Sequence, residues 1–123
     1  MPWNLHSDRP IFIQILERIR IDIISGKYKP GEKLPSVREL AAEAAVNPNT
    51  MQRAFAELER TGLVYSRRTS GRFITEDQEM IETLKTDIAK EKIRLFLDSM
   101  RELGYEKEQT LTLMRQSMEG EEA

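Results

Sequence analysis

The chain has 123 residues, 39% of them apolar and 33% charged, and a formal net charge of −2. No apolar run is long enough to span a bilayer, no secretory leader is expected, and the absence of cysteine excludes disulfides and thiolate chemistry. With a single histidine, no metal or cofactor is predicted, and a cytoplasmic location is expected.

The charge divides unevenly. Residues 1–75 hold twelve Lys or Arg against eight Asp or Glu, a net of +4, whereas residues 76–123 hold seven against thirteen, a net of −6. A basic front and an acidic back direct one end of the chain towards nucleic acid and the other away from it.

Residues 1–9 form a polar, extended lead-in containing Trp3 and His6. Trp3 either folds back onto its own domain or a partner chain, or belongs to a loose terminus; His6 is read as an exposed side chain. A first helix is predicted from Pro10 to Ser25, capped by Ser7 or Asp8 and closed by Gly26. Its stripe of Ile11, Phe12, Ile15, Leu16, Ile19 and Ile23 is wide enough to form one wall of a small core. Lys27 to Pro35 is turn material, ending in a short extended piece at Lys33-Leu34 suited to pairing with a later hairpin.

Ser36 and Glu39 then spell a capping box, and Val37, Leu40, Ala41 and Ala44 recur at helical spacing as a small, close-packing face. Asn47-Pro48 starts another helix, with Met51, Phe55 and Leu58 as its buried stripe and Gly62 as its stop. Asn49, Thr50, Gln52 and Arg53 crowd its first turns with hydrogen-bonding groups. Beyond Gly62 the pattern becomes that of two strands, Leu63–Arg67 and Arg72–Thr75, around Arg68-Thr69-Ser70-Gly71. From Arg60 to Thr75 there are four arginines and no acidic residue.

Two short helices, a tight turn and a basic hairpin make a winged helix-turn-helix, which places its second helix in the major groove of DNA. Asn, Gln, Thr and Arg match base edges and phosphates there, and an Arg- and Gly-rich hairpin tip suits the phosphate backbone or the minor groove. Double-stranded DNA is the predicted partner.

Past the hairpin, Thr75 and Gln78 read as a further capping box opening a long helix that runs to Leu103 and stops at Gly104. A last helix, Glu106 to Met118, precedes a solvated acidic tail that is expected to be disordered. Two helices in fewer than 50 residues seldom bury their own apolar stripes. A homodimer through residues 76–118 is therefore predicted, with Ile81, Leu84, Ile88, Phe96, Met100, Leu111 and Met114 at its interface. The apolar region around Phe96, Met100, Leu103, Leu111 and Met114 is read as a filled dimer core, with an effector pocket as the alternative. The fold class is mainly α (α+β): a winged helix-turn-helix over residues 1–75 and a two-helix dimerisation segment over 76–123.

The run Pro30-Gly31-Glu32-Lys33-Leu34-Pro35-Ser36-Val37-Arg38-Glu39-Leu40-Ala41, then Asn47-Pro48-Asn49-Thr50-Met51-Gln52-Arg53-Ala54-Phe55, Gly62-Leu63-Val64 and the hairpin from Arg67 to Ile74 closely resemble the N-terminal domain of the GntR family of bacterial transcription regulators. The short two-helix remainder looks like the YtrA subfamily. The resemblance implies DNA contacts at Ser36 and Arg38, at Asn49, Thr50 and Arg53, and at Ser70, Gly71 and Arg72. It also implies dimerisation through the tail and frequent association with transporter operons. Arg67 and Arg68 join the candidate contacts through the wing's charge. Thr69 stands where the family often has a second tip glycine.

The leading function is a sequence-specific regulator, a repressor binding an inverted repeat as a homodimer. A winged-helix module that contacts protein is the alternative. Catalysis is not expected, because no nucleophile–base arrangement, Walker loop or dinucleotide fingerprint is present.

Overall fold

The computed structural model describes residues 3–122. Five helices, α1 (Ile11–Ile24), α2 (Val37–Ala44), α3 (Pro48–Arg60), α4 (Gln78–Glu102) and α5 (Lys107–Glu122), accompany a hairpin of β1 (Val64–Arg67) and β2 (Gly71–Ile74). Contacts divide them into two compact units, the first ending at Leu84 and the second beginning at Lys85.

In the first unit α3 is the hub, packing against α1, α2 and β1. Met51, Ala54, Phe55 and Leu58 recur at helical spacing and are fully buried, meeting Ile15 and Ile19 of α1 and Leu40 of α2. The predicted capping box of α2 is formed in both directions: Glu39 N–H donates to Ser36 Oγ at 3.1 Å, and Ser36 N–H to Glu39 Oε1 at 3.3 Å. Asn47 Oδ1 caps α3 by accepting from Asn49 N–H at 2.8 Å, with Pro48 in the first turn. The α2–α3 turn passes through Ala45, a non-glycine residue in the left-handed region at φ 60° and ψ 48°. Gly62 takes φ 85° directly after α3, as its place at a helix stop requires.

β1 and β2 pair antiparallel with Val64 opposite Ile74 and Arg67 opposite Gly71. The predicted extended piece before α2 lies alongside β2. Lys33 bridges Phe73, Gly31 N–H reaches Ile74 O, and Leu34 N–H reaches Arg72 O, both at 2.9 Å.

From Trp3 onward the lead-in folds back onto its own unit. Trp3 is buried, and Arg18 stacks with its guanidinium 4.7 Å from the indole ring centre. Gln14, a buried polar residue of α1, fastens this segment, accepting from His6 N–H at 2.7 Å and donating to the carbonyls of His6 and Arg9. His6 is exposed. α1 itself begins after Pro10 with no side-chain cap, so neither Ser7 nor Asp8 serves that role.

Three expectations about the C-terminal helices change. α4 is capped by Asp77, whose Oδ1 accepts from Met80 N–H at 3.1 Å; Thr75 instead accepts from Asp77 N–H, and Gln78 is already helical. Ile81 is buried in the first unit's core, where an interface position was expected, and half-buried Leu84 packs against that core. α5 continues to Glu122 where a disordered tail was predicted, because Gln116, Met118 and Glu119 favour helix and one Gly120 costs only about 1 kcal/mol.

In the second unit α4 ends in a Schellman motif, with Tyr105 N–H bonded to Met100 O at 3.0 Å and Gly104 N–H to Arg101 O at 2.9 Å. Arg94 pairs with Glu91 and Asp98, and Arg101 with Asp98, along one polar face. Ile93, Leu95, Phe96, Leu103, Leu111, Leu113 and Met118 are exposed, Leu103 by 72%. Ile88, Met100 and Met114 are half-buried.

Candidate nucleic-acid interface

The mouth between the wing and the two short helices is a groove lined by Lys33, Ser36, Arg38, Gln52, Ser70 and Gly71 among others. The capping box orients its floor, because satisfying the first turn of α2 through Ser36 and Glu39 leaves Arg38 projecting into solvent. The wing forms its wall. At the tip Ser70 N–H bonds to Arg67 O at 3.1 Å, Thr69 takes φ 74° and Gly71 φ 109°. A Cβ at position 71 would lie 2.9 Å from Lys33 Cε, so glycine there meets both the backbone angle and the close approach of Lys33.

Of the sequence candidates, Ser36, Arg38, Ser70, Gly71 and Arg72 are brought together along this groove. Asn49 is exposed at the start of α3. Thr50 and Arg53 face α1 instead. Thr50 lines a depression with Trp3, Leu5 and Ile11, and the Arg53 guanidinium sits 4.2 Å from the Phe12 ring centre. Arg67 lies on the wing's other face, against the stacked rings of Tyr65 and Phe73. Arg68 is exposed at the tip. Among the described residues Lys33, Arg38, Arg53, Arg67 and Arg68 take part in no ion pair, which leaves their charge available to an anionic partner.

Arg72 differs from these. Its Nε donates to the Glu59 carboxylate, and its guanidinium lies 5.2 Å from the Phe55 ring centre. The Arg72 hydrogen bond holds Glu59 below the usual carboxylate range; partial desolvation opposes it and Ser66 adds to it. Gln52, named in the polar cluster of α3 but not among the candidate contacts, and Lys33 also line the groove. Gln52 follows buried Met51, and one step turns the helix about 100° towards the wing. Lys33 enters through its bridge to Phe73. Helical phase was the available signal for Gln52; for Lys33 the sequence marked the pairing with the hairpin but not the approach of its side chain to the wing tip.

No group of His, Cys, Asp or Glu among the described residues is arranged to hold a metal, and none of their helices is long and apolar enough to cross a membrane.

A model of bacterial regulatory proteins of the gntR family matches residues 13–74. The uncharacterised HTH-type transcriptional regulator YhcF of Bacillus subtilis is 42% identical over 98% of this chain and 99% of its own length. The HTH-type transcriptional repressor YtrA of the same organism is 39% identical over 76% and 73%. A GntR family transcriptional regulator from Listeria monocytogenes superposes with a TM-score of 0.86 at 43% identity, covering 91% of this chain and 98% of that one. The AraR DNA-binding domain in complex with an operator superposes at 0.53 with 30% identity, over 61% and 92%. A family match across half the chain, relatives similar over nearly its full length and the winged helix itself lead to one assignment: the chain belongs to the GntR family and, with its short YtrA-like remainder, is a DNA-binding transcriptional regulator and not an enzyme.

Proposed function

We propose that this regulator acts as a repressor, occupying an inverted-repeat operator as a homodimer. The observation that carries the reading is the groove in which uncompensated Lys33 and Arg38 converge with Gln52 and the wing tip. Arg38 and Gln52 have the donors to read base edges, while Arg68, Ser70 and the Asn49 end of α3 suit phosphates. The operator complex of AraR supports this use of the fold.

The dimer is supported by the uncovered apolar surface of α4 and α5, centred on Phe96, Leu103 and Leu111. Exposing that many large apolar side chains in one small unit is unfavourable, and a second copy of the same surface covers it. Ile88, Met100 and Met114 flank it. The DNA-binding part extends to Leu84, and dimerisation belongs to the helices beyond. A two-fold arrangement matches two half-sites. Occupancy of an operator excludes polymerase, hence repression, as the name of YtrA also suggests. A transporter operon is the expected target and the cytoplasm the expected location.

Selection of genomic fragments by the purified protein, with sedimentation on the same sample, tests the reading. Recovery of an inverted repeat by a dimer is expected, with affinity falling steeply as salt rises. Selection of no sequence at low salt by an intact dimer would reject operator binding by the free protein, leaving a form that awaits an effector or the protein-interaction module.

A further inference from the structure

Arg72 is one of the wing arginines, yet its surroundings give it a different task. The cross-strand pair Ser66–Arg72 places both side chains on the wing face that packs on α3. There Glu59 Oε1 accepts from Ser66 Oγ at 2.8 Å and from Arg72 Nε, so one carboxylate oxygen holds both strands. The backbone of Arg72 is held as well: its carbonyl accepts from Leu34 N–H at 2.9 Å, in the segment leading into α2. A single residue thus joins the wing to α3 and to the segment that leads into α2.

We propose that Arg72 is a positioning residue, latched to Glu59 so that the wing stands at a fixed distance from the reading helix, and that it gives no contact to DNA. The inference rests on the DNA-binding reading above. Arg72 holds Glu59 through Nε, and its side chain is only 26% exposed and lies against the Phe55 ring. Swinging its terminal nitrogens out to a phosphate would loosen its hold on Glu59, whose side chain is only 32% exposed. That would present an unpaired, partly buried carboxylate to a polyanion. The pair therefore persists in the complex, and Arg68 and Ser70 engage DNA because the latch sets their reach. A two-stranded hairpin left to itself is marginal and would not hold that geometry.

The test measures operator affinity for Glu59→Gln, Arg72→Gln and the exchanged pair Glu59→Arg with Arg72→Glu, each with and without Arg68→Ala. Circular dichroism confirms that each variant is folded. Both single variants should weaken operator binding about tenfold and shrink the effect of Arg68→Ala, since coupled groups lose their contributions together. The exchanged pair should restore both. A direct phosphate contact by Arg72 gives the opposite pattern: Glu59→Gln binds as tightly as wild type or tighter, and the exchanged pair stays as weak as Arg72→Gln. Either result overturns the latch. If Arg72→Gln fails to fold, Glu59→Gln decides alone, because it keeps the side-chain volume and an acceptor for Ser66. Failure of the wild type to bind any operator would reject the parent reading and is seen separately.

Discussion

Replacing Ile81 with alanine separates two assignments for the first turn of α4. By helical spacing Ile81 belongs with the dimer residues, whereas in the structure it is 9% exposed and part of the first unit's core, close to where Met80 Cε approaches Gly62. Truncating a buried isoleucine removes its transfer free energy and leaves a cavity, together about 2–5 kcal/mol. At the rim of a core the surroundings relax more readily, which puts Ile81→Ala near the lower end, about 2–3 kcal/mol. For a unit of this size that lowers the melting temperature by roughly 8–24 °C. Thermal unfolding followed by circular dichroism at fixed concentration should register the loss. Sedimentation equilibrium well below the melting temperature should give the same association state as wild type. An unchanged melting transition with weakened self-association would refute the core assignment and return Ile81 to the interface.

Ala45→Gly should stabilise the protein. A left-handed alanine costs about 1–2 kcal/mol, and the extra unfolded-state entropy of glycine returns about 0.5–1 kcal/mol of that. The net gain is therefore about 0–1.5 kcal/mol, with a middle value of about 0.75 kcal/mol readable by urea titration; a lower midpoint for the variant would contradict the turn geometry. Arg38→Ala should cost about 1–3 kcal/mol in operator affinity by fluorescence anisotropy, as expected for a base-reading arginine. Arg53→Ala should cost clearly less, its main loss being the stack on Phe12, about 0.5–1 kcal/mol of stability. Equal losses of affinity would show that Arg53 leaves Phe12 to read DNA. Glu59 gives a pH signature. Its carboxyl lies lower in the folded state than in the unfolded chain, so the stabilisation is complete above the ordinary glutamate range and is lost as the pH falls through the depressed folded value. The stability difference between wild type and Glu59→Gln should accordingly be full at neutral pH and vanish in strong acid; a gap that persists there would argue against the ion pair.

Much of the fold was legible because its signals are local. Ser36 and Glu39, Asn47-Pro48 and Gly62 each act within one helical turn, and α2 and α3 begin, and α3 ends, where those residues say. The site was legible in part. The groove gathers Ser36, Arg38, Ser70, Gly71 and Arg72 of the candidate contacts, while Thr50 and Arg53 turn towards α1. A list of polar residues on a helix does not say which flank of its outer face a neighbour will occupy.

The sequence by itself determined the elements, their order, the charge asymmetry and the family, since capping, periodicity and motif spacing need only neighbouring residues. Tertiary structure alone decided the partners. Arg72 looks like any wing arginine until Glu59, thirteen positions away, is brought to it across the α3–wing contact. Ile81 reads as part of one continuous α4 stripe until the first unit's core claims that helix's opening turn. Ion pairing and burial depend on what lies opposite in space, and chain-local pattern carries no record of that.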